Sequence, residues 1–300
     1  MRKEAATFLA ALSGPQRAIA ARSFDDPARR WIEYRPAPRP GVSLADLGTA
    51  ARKAAHRLLA TGLAAGAYAQ AMSVIALEEV LDRREGWRRG RHSADYQIIV
   101  FGTPGDDRWG WRFEGHHLSV TMTVIDGVIT PAPLFLGANP ARVDVAGRPV
   151  LRPLGVEEDL GRELLLSLTA AQRERAVVSG QAPGDVRSGP SADFGPVGPP
   201  GIAARDLGYG SRALLEQLVT VHLGRLPDEL ALRLHSTDLH FAWEGPAGPN
   251  TRHYYRIQGP GLLVEFDQTT DDGNHAHSVL RRPSGDFGAD LLAAHHASAS

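Results

Sequence analysis

Twelve histidines occur in this chain, and seven of them fall between His235 and His296. Another two, His116-His117, end the run Trp109-Gly-Trp-Arg-Phe-Glu-Gly115. Near the C-terminus, His275-Ala-His277 follows Glu265-Phe-Asp267 after a short gap. Imidazoles and carboxylates gathered on strand-like segments are the donors that a nitrogen- and oxygen-ligated metal ion takes. Two histidines at i and i+2 on a strand share one face and can reach one ion.

Strand alternation sorts the other candidates. Over residues 116–124 one face carries His116, Leu118, Val120, Met122 and Val124, the other His117, Ser119, Thr121 and Thr123. The first reads as a core face, and the second is polar enough to line a cavity or meet water. The expected metal ligands are therefore His117, His275 and His277, with Asp267 or Glu265 as the acidic member. His116 is the rival to His117, since Gly115 allows a bulge that swaps the faces. His240 is a candidate for proton transfer or for orienting a ligand. Glu114 or Glu265 would serve as a base if a metal-bound water were the nucleophile. Arg112 and Arg256 could clamp an anionic substrate or pair with buried acids. Trp109 and Trp111 could stack on a planar substrate, although strand aromatics more often fill a core.

The elements that must position these residues follow from periodicity. Residues 1 to about 92 read as helical, with a helix over Gln16–Ser23, a Ser43/Asp46 capping box before a helix ended by Gly62, and another helix over Ala69–Leu81. Strands are expected at Tyr96–Phe101, Trp109–Phe113 and His117–Ile125, with Asp126-Gly127 as a turn. Glu157–Val178 and Ala203–Leu226 read as helices, Leu239 to about Arg281 as strands, and Leu291–His296 as a short closing helix. Gly180–Gly201 is half glycine and proline, a lid or an irregular loop.

The two strand regions resemble each other. Trp111-Arg-Phe113 through Gly115 to Leu118 aligns with Tyr255-Arg-Ile257 through Gly259 to Leu262, which sets Thr121 against Glu265 and Thr123 against Asp267. The expectation is one α+β domain over residues 1–300, its antiparallel sheet built from two related hairpin units at about 94–130 and 238–282 and flanked by helices, including those at about 156–226.

Bulk properties exclude several classes. A 300-residue chain with 43% hydrophobic and 22% charged residues can bury a full core. A net charge of −1 gives no field to hold nucleic acid or an anionic membrane. No cysteine is present, which removes thiol catalysis, disulfides and thiolate metal sites. No run approaches the ~20 apolar residues of a membrane span, and the N-terminus is too broken for a signal peptide, so a cytoplasmic location is expected. No dinucleotide fingerprint, phosphate loop or nucleophile elbow occurs. The sequence carries no signal of oligomeric state.

Trp31-Ile-Glu-Tyr34-Arg-Pro, Arg39-Pro-Gly41, Phe101-Gly-Thr-Pro104, Trp109 to Ser119, Phe135-Leu-Gly-Ala-Asn-Pro-Ala141, Tyr254-Tyr-Arg-Ile and His275-Ala-His277 follow in order. Through them the chain resembles, over nearly all its length, a bacterial and fungal family known as domain of unknown function 3500. The resemblance implies a single family unit and brings no activity or catalytic residues. From the residues alone, the leading expectation is a metal-dependent oxidoreductase using iron or copper on a small organic or amino-acid-like substrate. A zinc hydrolase with the same ligands and a non-catalytic small-molecule-binding domain are the alternatives.

Overall fold

The computed structural model describes residues 1–195, 197–231 and 238–298; His235 lies outside them. The chain is a mixed α+β structure around one large, mostly antiparallel sheet. Its strands are β1 (Ala21–Arg22), β2 (Val42–Ser43), β3 (Tyr96–Phe101), β4 (Arg108–Gly115), β5 (Leu118–Ile125), β6 (Val128–Thr130) and β7 (Leu134–Ala138). After a separate hairpin of β8 (Val143–Val145) and β9 (Arg148–Leu151) come β10 (Val177–Ser179), β11 (Ile202–Ala203), β12 (His240–Glu244), β13 (His253–Gly259), β14 (Leu262–Thr270) and β15 (His275–Arg281). The order across the sheet is β1-β3-β4-β5-β7-β15-β14-β13-β12-β10. The central pair is β7 against β15, antiparallel, with Gly137 opposite His277.

The helices are α1 (Arg2–Ala10), α2 (Gly14–Ala20), α3 (Thr49–Ala60), α4 (Ala65–Arg84), α5 (Gly155–Ser167), α6 (Ala170–Ala176), α7 (Tyr209–Leu223), α8 (Asp228–Ala231) and α9 (Ala289–Ser298). Ser13 and Gln16 form a complete capping box on α2. Ser43 caps a single 3-10 turn, Leu44–Asp46, and α3 starts only at Thr49 behind Gly48. The stretch 157–178 is broken at Leu168, because Thr169 with Gln172 caps a fresh helix there. α3 buries Ala51, Ala54, Ala55, Leu58 and Leu59, the stripe its periodicity sets out.

Alternation divides the sheet into two chemically different faces. Trp109, Trp111, Val120, Met122, Leu136, Val264, Phe266 and Leu280 belong to the main apolar core beneath the helices. The residues between them point the other way: Arg112, Glu114, Thr121, Glu265, Asp267, His277 and Arg281, all buried. That polar face is covered by two irregular segments, residues 24–41 and 180–201, which bring Ile32, Tyr34 and Val186 onto Phe135 and Val279. The Gly/Pro-rich segment is tied down by its side chains and backbone. Arg281 donates to the carbonyls of Ser188, Gly189 and Ser191, and Glu265 accepts from the amides of Arg187 and Ser188. It is irregular because its hydrogen bonds go to buried side chains rather than to a ladder.

Candidate metal centre

The centre of the polar face holds three histidines from two elements. β4 and β5 are joined by the two-residue turn His116-His117 between the paired Gly115 and Leu118. His117 sits there at φ +63°, a left-handed conformation that normally favours glycine. Its amide donates to the Tyr34 carbonyl (3.0 Å), and its carbonyl accepts from the Gly137 amide (2.7 Å). The Tyr96 hydroxyl holds the His116 carbonyl at 2.8 Å. Gly115 permits that approach, since a Cβ there would lie 2.2 Å from the Tyr96 ring. On the other side of β7, His275 and His277 open β15 after a register shift in β14 between Asp267 and Thr270. That shift accompanies left-handed Asp271 and Asp272. Left-handed non-glycine residues each cost on the order of 1 kcal/mol and gather where a site needs them.

The Nε2 atoms of these rings converge. His117 Nε2 lies 2.8 Å from His275 Nε2, which lies 3.0 Å from His277 Nε2. The rings of His275 stand nearly perpendicular to those of His117 and His277, at 83° and 78°. The outer nitrogens face carboxylates. His277 Nδ1 is 3.0 Å from Asp267 Oδ2 and 3.2 Å from Asp185 Oδ1. His275 Nδ1 is 3.3 Å from Asp271 Oδ2, which also accepts from the Asn139 amide at 2.9 Å. An ionised carboxylate only accepts, so His277 Nδ1 carries a proton, whereas His275 Nδ1 faces both Asp271 Oδ2 and the Asn139 amide nitrogen, each at 3.3 Å. The Nε2 atoms of His275 and His277, 3.0 Å apart, repel unless a proton on one of them or a cation between them joins the two. A single imidazole nitrogen also cannot satisfy two partners within its one in-plane direction. The triad therefore calls for a positive charge at its centre, which a proton on His277 or a bound cation supplies.

The protonation behaviour agrees. Burial alone would push His277 down, but Asp267 and Asp185 outweigh it and hold this imidazole up at about 10. Burial, followed by the charge of His277, pushes His275 down to about 3. His117 is held well below its ordinary value by burial and then by the neighbouring histidines. Burial would raise the Asp185 carboxyl, yet hydrogen bonds from His277, the Val186 amide and Tyr34 keep it below the usual range. The cluster thus attracts one positive charge and places it on His277.

Among the described residues, two other groupings have metal-ligand spacing, Glu78–His116–His117 and Asp185–Asp267–His277. In the first, Glu78 Oε1 is 2.6 Å from His116 Nδ1, but Arg91 Nη1 stands 3.2 Å from the same nitrogen and 3.7 Å from Glu78. A guanidinium already fills the cation's place there. In the second, the carboxylates share one imidazole N–H, and Tyr34, Val186 and Thr269 supply further donors. Both acids brace His277 from the side away from Nε2.

The remaining sequence candidates lie elsewhere. Glu114 accepts from the Glu33 amide and the Ser119 hydroxyl, with Arg112 at 3.3 Å. Glu265 accepts from the Tyr254 hydroxyl and the amides of Arg187 and Ser188. Arg112 donates to the carbonyls of Ala28 and Trp31, while Arg256 donates to Glu244 and the Pro199 carbonyl. Trp109 and Trp111 are buried on the helix-covered face. His240 is three strands from β15, roughly 14 Å across the sheet, and borders a different cavity with Asp238 and Gln258. Sequence reasoning missed Asp185, Asp271, Asn139 and Tyr34. The Asp271-Asp-Gly273 turn ahead of His275 was a local signal for one of them, whereas Asp185 arrives by a long-range contact with no sequence mark.

A family model described as a protein of unknown function, DUF3500, matches residues 1–289. The chain belongs to the DUF3500 family. No curated protein and no solved structure matches it. For this DUF3500 member the fold also states one negative: among the described residues no helix is long and apolar enough to cross a membrane.

Proposed function

We propose that this DUF3500 protein binds one transition-metal ion through Nε2 of His117, His275 and His277, and that it is an oxidoreductase using iron or copper on a small organic substrate. The observation that carries the metal is the convergence of three imidazole Nε2 atoms at 2.8 and 3.0 Å, with carboxylates beside Nδ1 of His275 and His277. Iron(II) and copper(II) accept imidazole donors of this kind and leave coordination positions open for a substrate.

The ion would supply electron transfer to a substrate or to oxygen in those open positions. The chain's own residues hold and orient the rings. Asp267 and Asp185 hold the His277 ring by Nδ1, Asp271 and Asn139 hold that of His275, and the Phe135–Tyr34 stack (ring centroids 4.1 Å apart) shields His277 from water. For the zinc-hydrolase reading, Glu114 and Glu265 are the expected bases, but Glu114 is paired with Arg112 and bonded to Glu33 and Ser119, and Glu265 to Tyr254, Arg187 and Ser188.

We read the whole chain as one domain of two related units. Several features support this. α2 and α6 each carry a capping box whose glutamine reaches a backbone carbonyl, Gln16 to Asp46 and Gln172 to Asp206. Each is followed by a short strand parallel to the next unit's first long strand. Each unit then makes a two-residue hairpin, His116-His117 or Pro260-Gly261.

The function is tested by reconstituting metal-free protein with iron(II), copper(II) and zinc in turn and following metal stoichiometry, the copper paramagnetic spectrum and oxygen uptake. One equivalent of iron or copper, with metal-dependent oxygen uptake, supports the oxidoreductase. One equivalent of zinc with no redox-active binding moves the site to hydrolysis, and binding of none of the three removes both.

A further inference from the structure

A cavity of about 930 Å³ lies over the polar face of the sheet at its β12–β14 side. Its floor is one row of the ladder. Register sets His240 of β12 opposite Gln258 of β13, and Gln258 opposite Leu263 of β14. Cross-strand neighbours of this kind carry their side chains ~5 Å apart on one face. The roof is the Gly/Pro-rich segment, through Phe194 and Val197, and Pro260 extends the apolar wall. That roof is anchored on two sides. The Arg281 guanidinium lies 4.2 Å from the Phe194 ring and donates to the Ser191 carbonyl, while Arg256 donates to the Pro199 carbonyl.

His240 and Gln258 are half-buried, and neither side chain makes a hydrogen bond with a described residue. Neither has a polar atom sealed away from solvent, so their donors and acceptors can be reached in the cavity that they line. Glu114 shows the contrast. Like Gln258 it stands just before the glycine of its hairpin, but it accepts from the Glu33 amide and so draws its own cover segment down onto the sheet. Over Gln258 the cover stands off and leaves room. His240 apart, the charged residues of the described wall are Asp193 and Asp238, with no arginine or lysine among them. Both acids already have surface partners, Arg30 at 3.1 Å and Arg205 at 3.2 Å. An apolar chamber with two convergent polar side chains and no cation is the usual make-up of a site for an uncharged small molecule.

We propose that this cavity binds a neutral aromatic molecule carrying a hydroxyl group, a phenol of one or two rings. The hydroxyl donates to Gln258 Oε1 and accepts the imidazole N–H of His240, which satisfies both of its bonding roles at once. The rings lie among Phe194, Val197 and Pro260. A carboxylate in the same place would meet Asp193 and Asp238 with no guanidinium or ammonium to pair with. The site is three strands from His275 and His277, so it goes beyond the metal reading and does not depend on it.

The test is fluorescence titration of the full chain with 2-naphthol, naphthalene, 2-naphthoate and 2-naphthylmethylamine, with metal stoichiometry measured in parallel. Wild type is expected to bind 2-naphthol saturably and about fivefold or more tighter than the other three, the worth of hydrogen bonds that only the hydroxyl makes. His240→Leu and Gln258→Leu should each bring 2-naphthol toward the naphthalene level while naphthalene itself still binds, a selective loss that misfolding does not give. Phe194→Ala should weaken both, and all three variants should keep the metal of the three-histidine site. Absence of saturable binding by wild type, naphthoate or the amine binding as tightly as 2-naphthol, or an unchanged 2-naphthol preference in either leucine variant overturns the proposal. Those outcomes leave the metal reading intact if the ion still binds, and a failed metal reconstitution leaves the cavity result standing.

Discussion

Replacing Gly137 by alanine perturbs the candidate metal centre without removing a donor atom. Gly137 sits in β7 opposite His277, and its amide donates to the His117 carbonyl. Its backbone is ordinary strand, which alanine accepts. A Cβ there would lie 2.8 Å from His117 Cδ2 and 2.9 Å from His277 Cδ2. Carbon atoms in good contact stand ~3.5–4.0 Å apart, so the two rings must retreat by roughly 0.7 Å or more. Functional constellations tolerate about 0.5 Å. Changes that misorient ligands in this way weaken metal binding ~10–100-fold, or about 1.4–2.8 kcal/mol. Overpacking also lowers fold stability by ~1–3 kcal/mol. Val264→Ala, on the helix-covered face, provides the control, because it destabilises by a similar ~1–3 kcal/mol far from the rings. Chelator competition with thermal denaturation separates the two effects. Gly137→Ala should lose affinity and Val264→Ala should not. Wild-type affinity and spectrum in Gly137→Ala would refute the placement of these rings around an ion.

Asp267→Asn replaces the acceptor on His277 Nδ1 and should weaken metal binding ~10–100-fold and lower the His277 pKa from about 10, which NMR titration of metal-free protein reads. With His277 at about 10, metal uptake between pH 7 and 9 should release about one proton, visible as buffer-dependent heats in calorimetry. Stability of the metal-free protein should pass through a maximum near neutral pH. The raised His277 stabilises below the unfolded value of 6.5, and that contribution is lost as pH rises toward 10. The lowered His275 gives the opposite slope, stability lost as pH falls from 6.5 toward 3. Each limb approaches ~1.4 kcal/mol per pH unit, denaturant midpoints across pH would show it, and bound metal should flatten both. His117→Gly should abolish tight metal binding while leaving stability within ~1 kcal/mol of wild type, since glycine relieves the left-handed backbone; a melting temperature falling with no change in metal content would contradict this.

The strands and their faces were legible because period-two alternation is local. The run 96–101 read directly, and the expected strand His117–Ile125 begins one residue later, at Leu118, because His117 belongs to the left-handed turn; Glu265 and Asp267 do share the polar face expected of them. Helix starts were less legible, because Ser43 and Thr169 compete as caps with neighbouring turns that only tertiary contact decides. The hairpin of β8 and β9 gave no clear alternation, being exposed on both sides. The division of labour within the site was hidden as well. Whether Asp267 faces Nδ1 or an ion depends on ring orientation, which the register shift before His275 sets. Asp185 reaches His277 only through the fold of segment 180–201, and the roles of Arg112 and Arg256 depended on carbonyls far away in the sequence.

The most direct test is an anomalous-scattering map collected at the absorption edge of the reconstituted metal. The account predicts one strong peak ~2.1 Å from Nε2 of His117, His275 and His277 together. A peak seated on His277 Nδ1 between Asp185 and Asp267, or no peak in crystals of protein shown to have been exposed to iron, copper and zinc, would contradict it.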